Sequence, residues 1–134
     1  MKKVHYYSKR KWSLTEIMSG AFAGLAAITP GSGFVLPWTA VIIGASGSCS
    51  AFIWVTQIKP RIGVDDALDV AALQGVPGIL GTFAVGLFAE YSLDASDKTK
   101  LGLLRGGDGT LLATQTLGVF VTICWTGKKI LRYC

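Results

Sequence analysis

Between Trp12 and Gly127 the hydrophobic positions fall into four long runs, at about 14–28, 34–56, 70–89 and 110–127, separated by more polar breaks. We refer to them as spans A, B, C and D. A hydrocarbon core of about 30 Å takes about 20 apolar helical residues, so runs of this length predict membrane-crossing helices. Span C, VAALQGVPGILGTFAVGLFA, carries no charge and a single amide, Gln74, just before Gly-Val-Pro-Gly. A polar side chain in such a run faces protein or a water path. Two roles are therefore open to Gln74: lining such a path, or an interhelical hydrogen bond worth on the order of 1 kcal/mol.

Local signals predict the helix ends. Ser13-Leu-Thr-Glu16 has capping-box spacing, which assigns Glu16 a structural role. Span A ends at Thr29-Pro30-Gly31-Ser32-Gly33, where Pro30 disfavours a helical residue before it and the glycines permit unusual backbone. A helix over 14–28 is about 22 Å long, short for a full crossing, so the break at Pro30 is expected at membrane depth, shielded by protein or facing a wet vestibule. Span B should stop before Pro60. Asp65 or Asp66 can cap span C, and Asp69 falls in or just after its first turn, where the helix dipole favours negative charge. Asp69 is read first as a stabiliser of the helix start and second as a residue of the same polar path as Gln74. Counting about 12 Å from Asp66 places Gln74 near the bilayer midplane. Pro77 has no amide hydrogen, so the helix can kink beside Gln74. Small residues at Gly20 and Gly24, Gly44 and Ser48, and Gly75, Gly78 and Gly81 predict close helix packing.

Composition agrees with membrane insertion: 51% of the 134 residues are hydrophobic, 16% are charged, and the mean hydropathy is +0.49. An ordinary soluble domain is less apolar. The net charge of +5 becomes informative once mapped onto loops. With four spans, one side holds ten of the basic residues (Lys2, Lys3, Lys9, Arg10, Lys11, Lys59, Arg61, Lys128, Lys129 and Arg132). The other holds Lys98, Lys100 and Arg105, diluted by Glu90, Asp94, Asp97 and Asp108. The positive-inside rule then places both termini in the cytoplasm, with a basic segment at 1–12, the membrane domain at 13–127 and a basic tail at 128–134. No basic surface is interleaved with stacking aromatics, which argues against nucleic acid.

Chemistry is sparse. Cys49 and Cys124 lie inside spans and Cys134 is the last residue, a spacing that suits neither a metal nor a disulfide. His5 sits in the basic N-terminal stretch and reads as solvated. Gly106-Gly107-Asp108-Gly109 lacks the Lys-Ser/Thr of a phosphate loop and reads as a turn into span D. No cleavable leader pattern follows Met1. The spans hold no paired carboxylates, metal ligands or nucleophile with a base, so neither an enzyme nor a cofactor is expected.

Three motifs recur in order: GLAAITPGSGFV (24–35), GVDDALDVAALQGVPGILGTFAVGLFA (63–89) and GLLRGGDGTLLATQTLGV (102–119). Together they resemble the C-terminal part of the ammonium transporter family, the Amt, methylammonium permease and Rhesus proteins. The resemblance covers nearly everything after Lys11. It implies an all-α integral membrane protein, four transmembrane helices of an eleven-helix fold, assembly as a trimer, and a pore for ammonium or ammonia, with the plasma membrane as the expected location. It also implies that a pore-lining histidine of the family is replaced here by Gln74. Glutamine donates and accepts hydrogen bonds but does not titrate near neutral pH. The partner histidine, the outer aromatic cation site and the phenylalanine gate belong to earlier helices of that fold. The expected role is one wall of such a pore; the alternatives are a non-transporting assembly subunit or a gene fragment.

Overall fold

The computed structural model describes residues 14–63, 69–90 and 101–133. Four main helices are named α1 (Leu14–Ile28), α2 (Pro37–Ile62), α3 (Ala71–Phe88) and α4 (Thr110–Tyr133). Of these, α2, α3 and α4 contain stretches long and apolar enough to cross a membrane. With 15 residues α1 is shorter, about 22 Å, and stops at a 3-10 turn, Thr29–Gly31. Pro30 sits in that turn, and the Thr29 hydroxyl donates to the Leu25 carbonyl at 2.7 Å, supplying a partner to one of the carbonyls left open at the helix end.

Three stripes of small residues make the core. Ala23 and Ala27 on α1, Thr39, Ile43, Gly47 and Ala51 on α2, and Pro77, Gly81 and Val85 on α3 are buried at four-residue spacing, the repeat that keeps side chains on one helix face. Ala27 is the meeting point. A Cβ built on Gly47 would overlap the Ala27 methyl, and one built on Gly81 would overlap the Ala27 carbonyl, so only glycine allows these backbones so close. Ala27, Ile43 and Ala84 form the apolar centre, flanked by Ile28, Val35 and Phe88. Next to it, Ser48 Oγ donates to the Gly20 carbonyl at 2.7 Å, tying α2 to α1.

Several expectations change. Helix α2 does not stop before Pro60; it runs on to Ile62 through a π-helical segment, Trp54–Ile58. The Lys59 amide donates to the Trp54 carbonyl five residues back, a wider turn placed just where Pro60 can supply no donor. Gly63, at φ 70°, then ends the helix, its amide bonded to the Lys59 carbonyl at 3.1 Å. Asp69 is not inside the first turn of α3. It takes φ 52°, so the helix begins at Val70 and the distance from its start to Gln74 is about 6 Å, not 12. Helix α4 continues past Gly127 to Tyr133. The cap expected from Ser13, those from Asp65 and Asp66, His5 and Cys134 lie outside the described residues.

The two ends of the bundle are fastened differently. At one end the Glu90 amide donates to the Phe34 carbonyl at 2.9 Å, and Arg105 pairs with Glu90 at 3.1 Å while lying over Trp38 at 5.7 Å. At the other, Lys59 pairs with Asp69 at 2.5 Å. Gly106-Gly107-Asp108-Gly109 forms the expected turn into α4, with Gly106 and Gly109 at φ 88° and 76°.

Candidate functional site: an amide-lined groove

The face of α3 opposite the core carries Gln74, Gly78 and Thr82, again four residues apart. With Ala26, Thr29 and Pro30 at the break of α1, and with one side of α4, this face encloses an open groove of about 770 Å³. Gln115, Gly118, Thr122 and Thr126 line it from α4.

Backbone geometry ahead of Pro77 aims Gln74. Ala71–Gly75 is π-helical, and the Val76 amide donates to the Ala71 carbonyl five residues back. Pro77 itself is almost fully buried against the core. The wide turn accommodates the missing amide of Pro77 and leaves Gln74 exposed in the groove while Ala72, two residues earlier, is buried. As at Pro60, the residue just before proline closes a π turn.

Three of the groove threonines have hydroxyls already engaged: Thr29 donates to Leu25, Thr82 to Gly78 at 2.8 Å and Thr122 to Gly118 at 2.8 Å. They present lone pairs to the groove rather than donors. Gln74 and Gln115 differ. Neither side chain is hydrogen-bonded among the described residues, so each keeps an amide donor and an acceptor for a small polar guest. The interhelical bond considered for Gln74 is not formed by these helices.

Gly75 and Gly78 were expected at a helix contact. A Cβ on either would meet nothing within 4 Å, so they widen the groove, and the tight contact falls to Gly81 alone of the three. At the other expected contacts, a Cβ on Gly24 would meet Ser48 Oγ at 3.0 Å and the Gly44 carbonyl at 3.1 Å, whereas Gly20 is open. Pro30 stands in the groove wall. Asp69 does not line it; its carboxylate is held by Lys59 and its carbonyl accepts the Leu73 amide at 2.8 Å. Gln115 was missed by sequence reasoning. The signal was available as a small and polar stripe at 115, 118, 122 and 126 in an apolar helix, the criterion that singled out Gln74. Among the described residues no three His, Cys, Asp or Glu side chains gather to hold a metal, and Cys49 and Cys124 are exposed free thiols.

Long apolar helices joined through small residues, with large apolar side chains turned outward, define an α-helical integral membrane protein. The chain belongs to the Ammonium Transporter Family, whose sequence model matches residues 2–129. It is 43% identical over 116 residues to a putative ammonium transporter of Methanothermobacter thermautotrophicus, covering 87% of this chain and 28% of that one. It is 39% identical over 119 residues to an ammonium transporter of Bacillus subtilis, covering 89% and 29%. The crystal structure of Saccharomyces cerevisiae Mep2 superposes with a TM-score of 0.74 at 30% identity, over 91% of this chain and 28% of that one. The chain thus spans less than a third of the length of these relatives.

Proposed function

We propose that this chain forms one wall of a path for ammonium or ammonia across a membrane, with Gln74 as a polar group on that wall. The observation that carries the reading is the amide-lined groove, in a chain of a family whose matched relatives are named ammonium transporters. A groove open along one side conducts nothing by itself. The remaining wall has to come from further helices, and the large apolar side chains of α1 and α2 that face outward, Phe22, Leu25, Val41 and Phe52 among them, offer surface for lipid or for those helices. In this reading α1 with its break at Pro30 is the fourth span. Both termini lie in the cytoplasm of a plasma-membrane protein, by the ten-to-three charge asymmetry, and the assembly is a trimer, by family resemblance. Asp69 acts at the edge of the path rather than on its wall.

Glutamine at position 74 cannot take up and release a proton near neutral pH, so a guest held there is passed on as it arrives rather than through a side-chain relay. The test is growth of cells deficient in ammonium uptake on low ammonium. The chain alone should fail to support growth, and the chain joined in frame behind the remaining N-terminal helices of the Bacillus subtilis relative should restore it. Growth supported equally by the chain alone would overturn the one-wall account. A chain that alters the flux of a co-expressed relative, yet conducts nothing in the fusion, would point to an assembly subunit.

A further inference from the structure

We propose that the C-terminal end of α4 docks the headgroup of an anionic lipid, held by Lys128, Lys129 and Arg132 beside Trp125, a role that goes beyond the transport reading and does not rest on it. Leu117, Val121, Trp125 and Lys129 follow one another at four-residue spacing, the repeat that keeps side chains on one side of a helix, and all four are exposed. None of them lines the groove. An apolar stripe that ends in an indole and then an amine is the order met on passing from hydrocarbon through the interface to the headgroups. Lys128 and Arg132 are exposed on the same side, and the three bases lie within about 10 Å of Trp125 along the helix axis.

A second pairing of cation and indole shows what differs here. At the opposite end of the bundle Arg105 lies over the exposed Trp38 at 5.7 Å, and its charge is met from within the chain, by Glu90 at 3.1 Å. Lys129 lies over Trp125 at 5.9 Å, yet none of Lys128, Lys129 and Arg132 has a carboxylate partner among the described residues, and α4 contains no Asp or Glu. The helix dipole favours bases in the last turn, which holds Arg132, and leaves Lys128 and Lys129 without that explanation. The partner that fits is therefore an anion supplied from outside the described chain at interfacial depth. A lipid phosphate meets both conditions: its oxygens accept from the ammonium and guanidinium groups, and its acyl chains lie along Leu117 and Val121.

Tryptophan fluorescence reads this directly on the full chain in phosphatidylcholine vesicles that contain a minor fraction of phosphatidylglycerol. Two forms are compared, one keeping Trp125 and the other Trp38 as the single tryptophan, the rest replaced by phenylalanine. Bromine, which quenches indole on contact, is carried near the headgroup end of the chains of either lipid at equal bromine content. Quenching of Trp125 should show phosphatidylglycerol enriched at least about fivefold over its bulk fraction, the worth of one base near an anionic surface, while Trp38, whose cation is already neutralised, should show no preference. Replacing Lys128, Lys129 and Arg132 together by glutamine should return Trp125 to random mixing, and Lys128→Arg with Lys129→Arg should keep the enrichment. Unchanged quenching of Trp38 by brominated phosphatidylcholine in the glutamine form shows that the bundle is still inserted. Equal quenching of Trp125 by the two lipids overturns the proposal, as does enrichment that survives the glutamine substitutions. Loss of the enrichment on adding inorganic phosphate at constant ionic strength also overturns it, since the site would then be one for soluble anions. No step of the measurement depends on ammonium flux, so failure of the pore-wall reading and failure of this one are separate results.

Discussion

Two faces of one helix, α3, differ in what they meet: one is packed against helices and the other is open and polar. On one face Pro77, Gly81, Ala84 and Val85 are buried against α1 and α2; on the other Gln74, Gly75, Gly78 and Thr82 line a groove. Gly78 and Gly81 are three residues apart and do opposite things. The absent side chain of Gly81 admits the Ala27 backbone, whereas that of Gly78 leaves open space. A glycine motif in an apolar helix is therefore not by itself evidence of a helix contact. The neighbour decides whether the missing Cβ is a close approach or a hollow.

Replacing these two glycines is the strongest way to break the comparison. Gly81→Val should cost at least the roughly 1–3 kcal/mol of an overpacked core, and more because the obstacle is backbone, so little folded chain should survive detergent extraction in a size-exclusion assay. Gly78→Ala should leave stability equal or raise it by up to about 1 kcal/mol, the helix-propensity gain with no clash to offset it. If both variants behave alike in a thermal melt, the two faces are not distinct.

Function should separate on the groove side, in the fusion with the remaining helices of a relative. Gln74→Leu should remove most ammonium flux, because a polar guest in an apolar passage loses the one amide that α3 offers it. Gln74→His should raise charge movement per ammonium carried in proteoliposomes, since imidazole titrates near neutral pH and an amide does not. Equal charge movement in the glutamine and histidine forms would show that no side-chain proton relay runs through this position. Gln115→Leu should lower flux by less than Gln74→Leu, and a larger loss would make α4 the principal wall.

Smaller effects follow for hydroxyls in the core and in the groove. Thr39 is buried at 1% exposure and donates to the Leu36 carbonyl at 2.7 Å, so Thr39→Val should destabilise by about 1 kcal/mol. Thr82→Val in the open groove should cost less, because water can take over the freed Gly78 carbonyl. Arg105→Ala should have the smallest effect, a few tenths to about 1 kcal/mol, since the Glu90 pair and the Trp38 contact are both partly solvated. Denaturant titration of the purified variants ranks all three.

Hydropathy marked the long apolar runs and Gln74 as the odd residue of span C, and Pro30 marked where α1 breaks, because the cost of polar groups in lipid and the missing proline amide both act on local sequence. The motifs at 24–35, 63–89 and 102–119 carried the family, which the comparisons then established. What only the tertiary structure decided is which side of each helix meets protein. In lipid both sides are apolar, so no hydrophobic stripe distinguishes the buried face from the exposed one, and Gly75, Gly78 and Gly81 read alike. The same holds for the continuation of α2 through Pro60: a π turn can absorb the proline, but neighbours and not the dipeptide select it. Gln115 joins Gln74 in one groove, and Lys59 meets Asp69, through contacts between helices that no local pattern encodes.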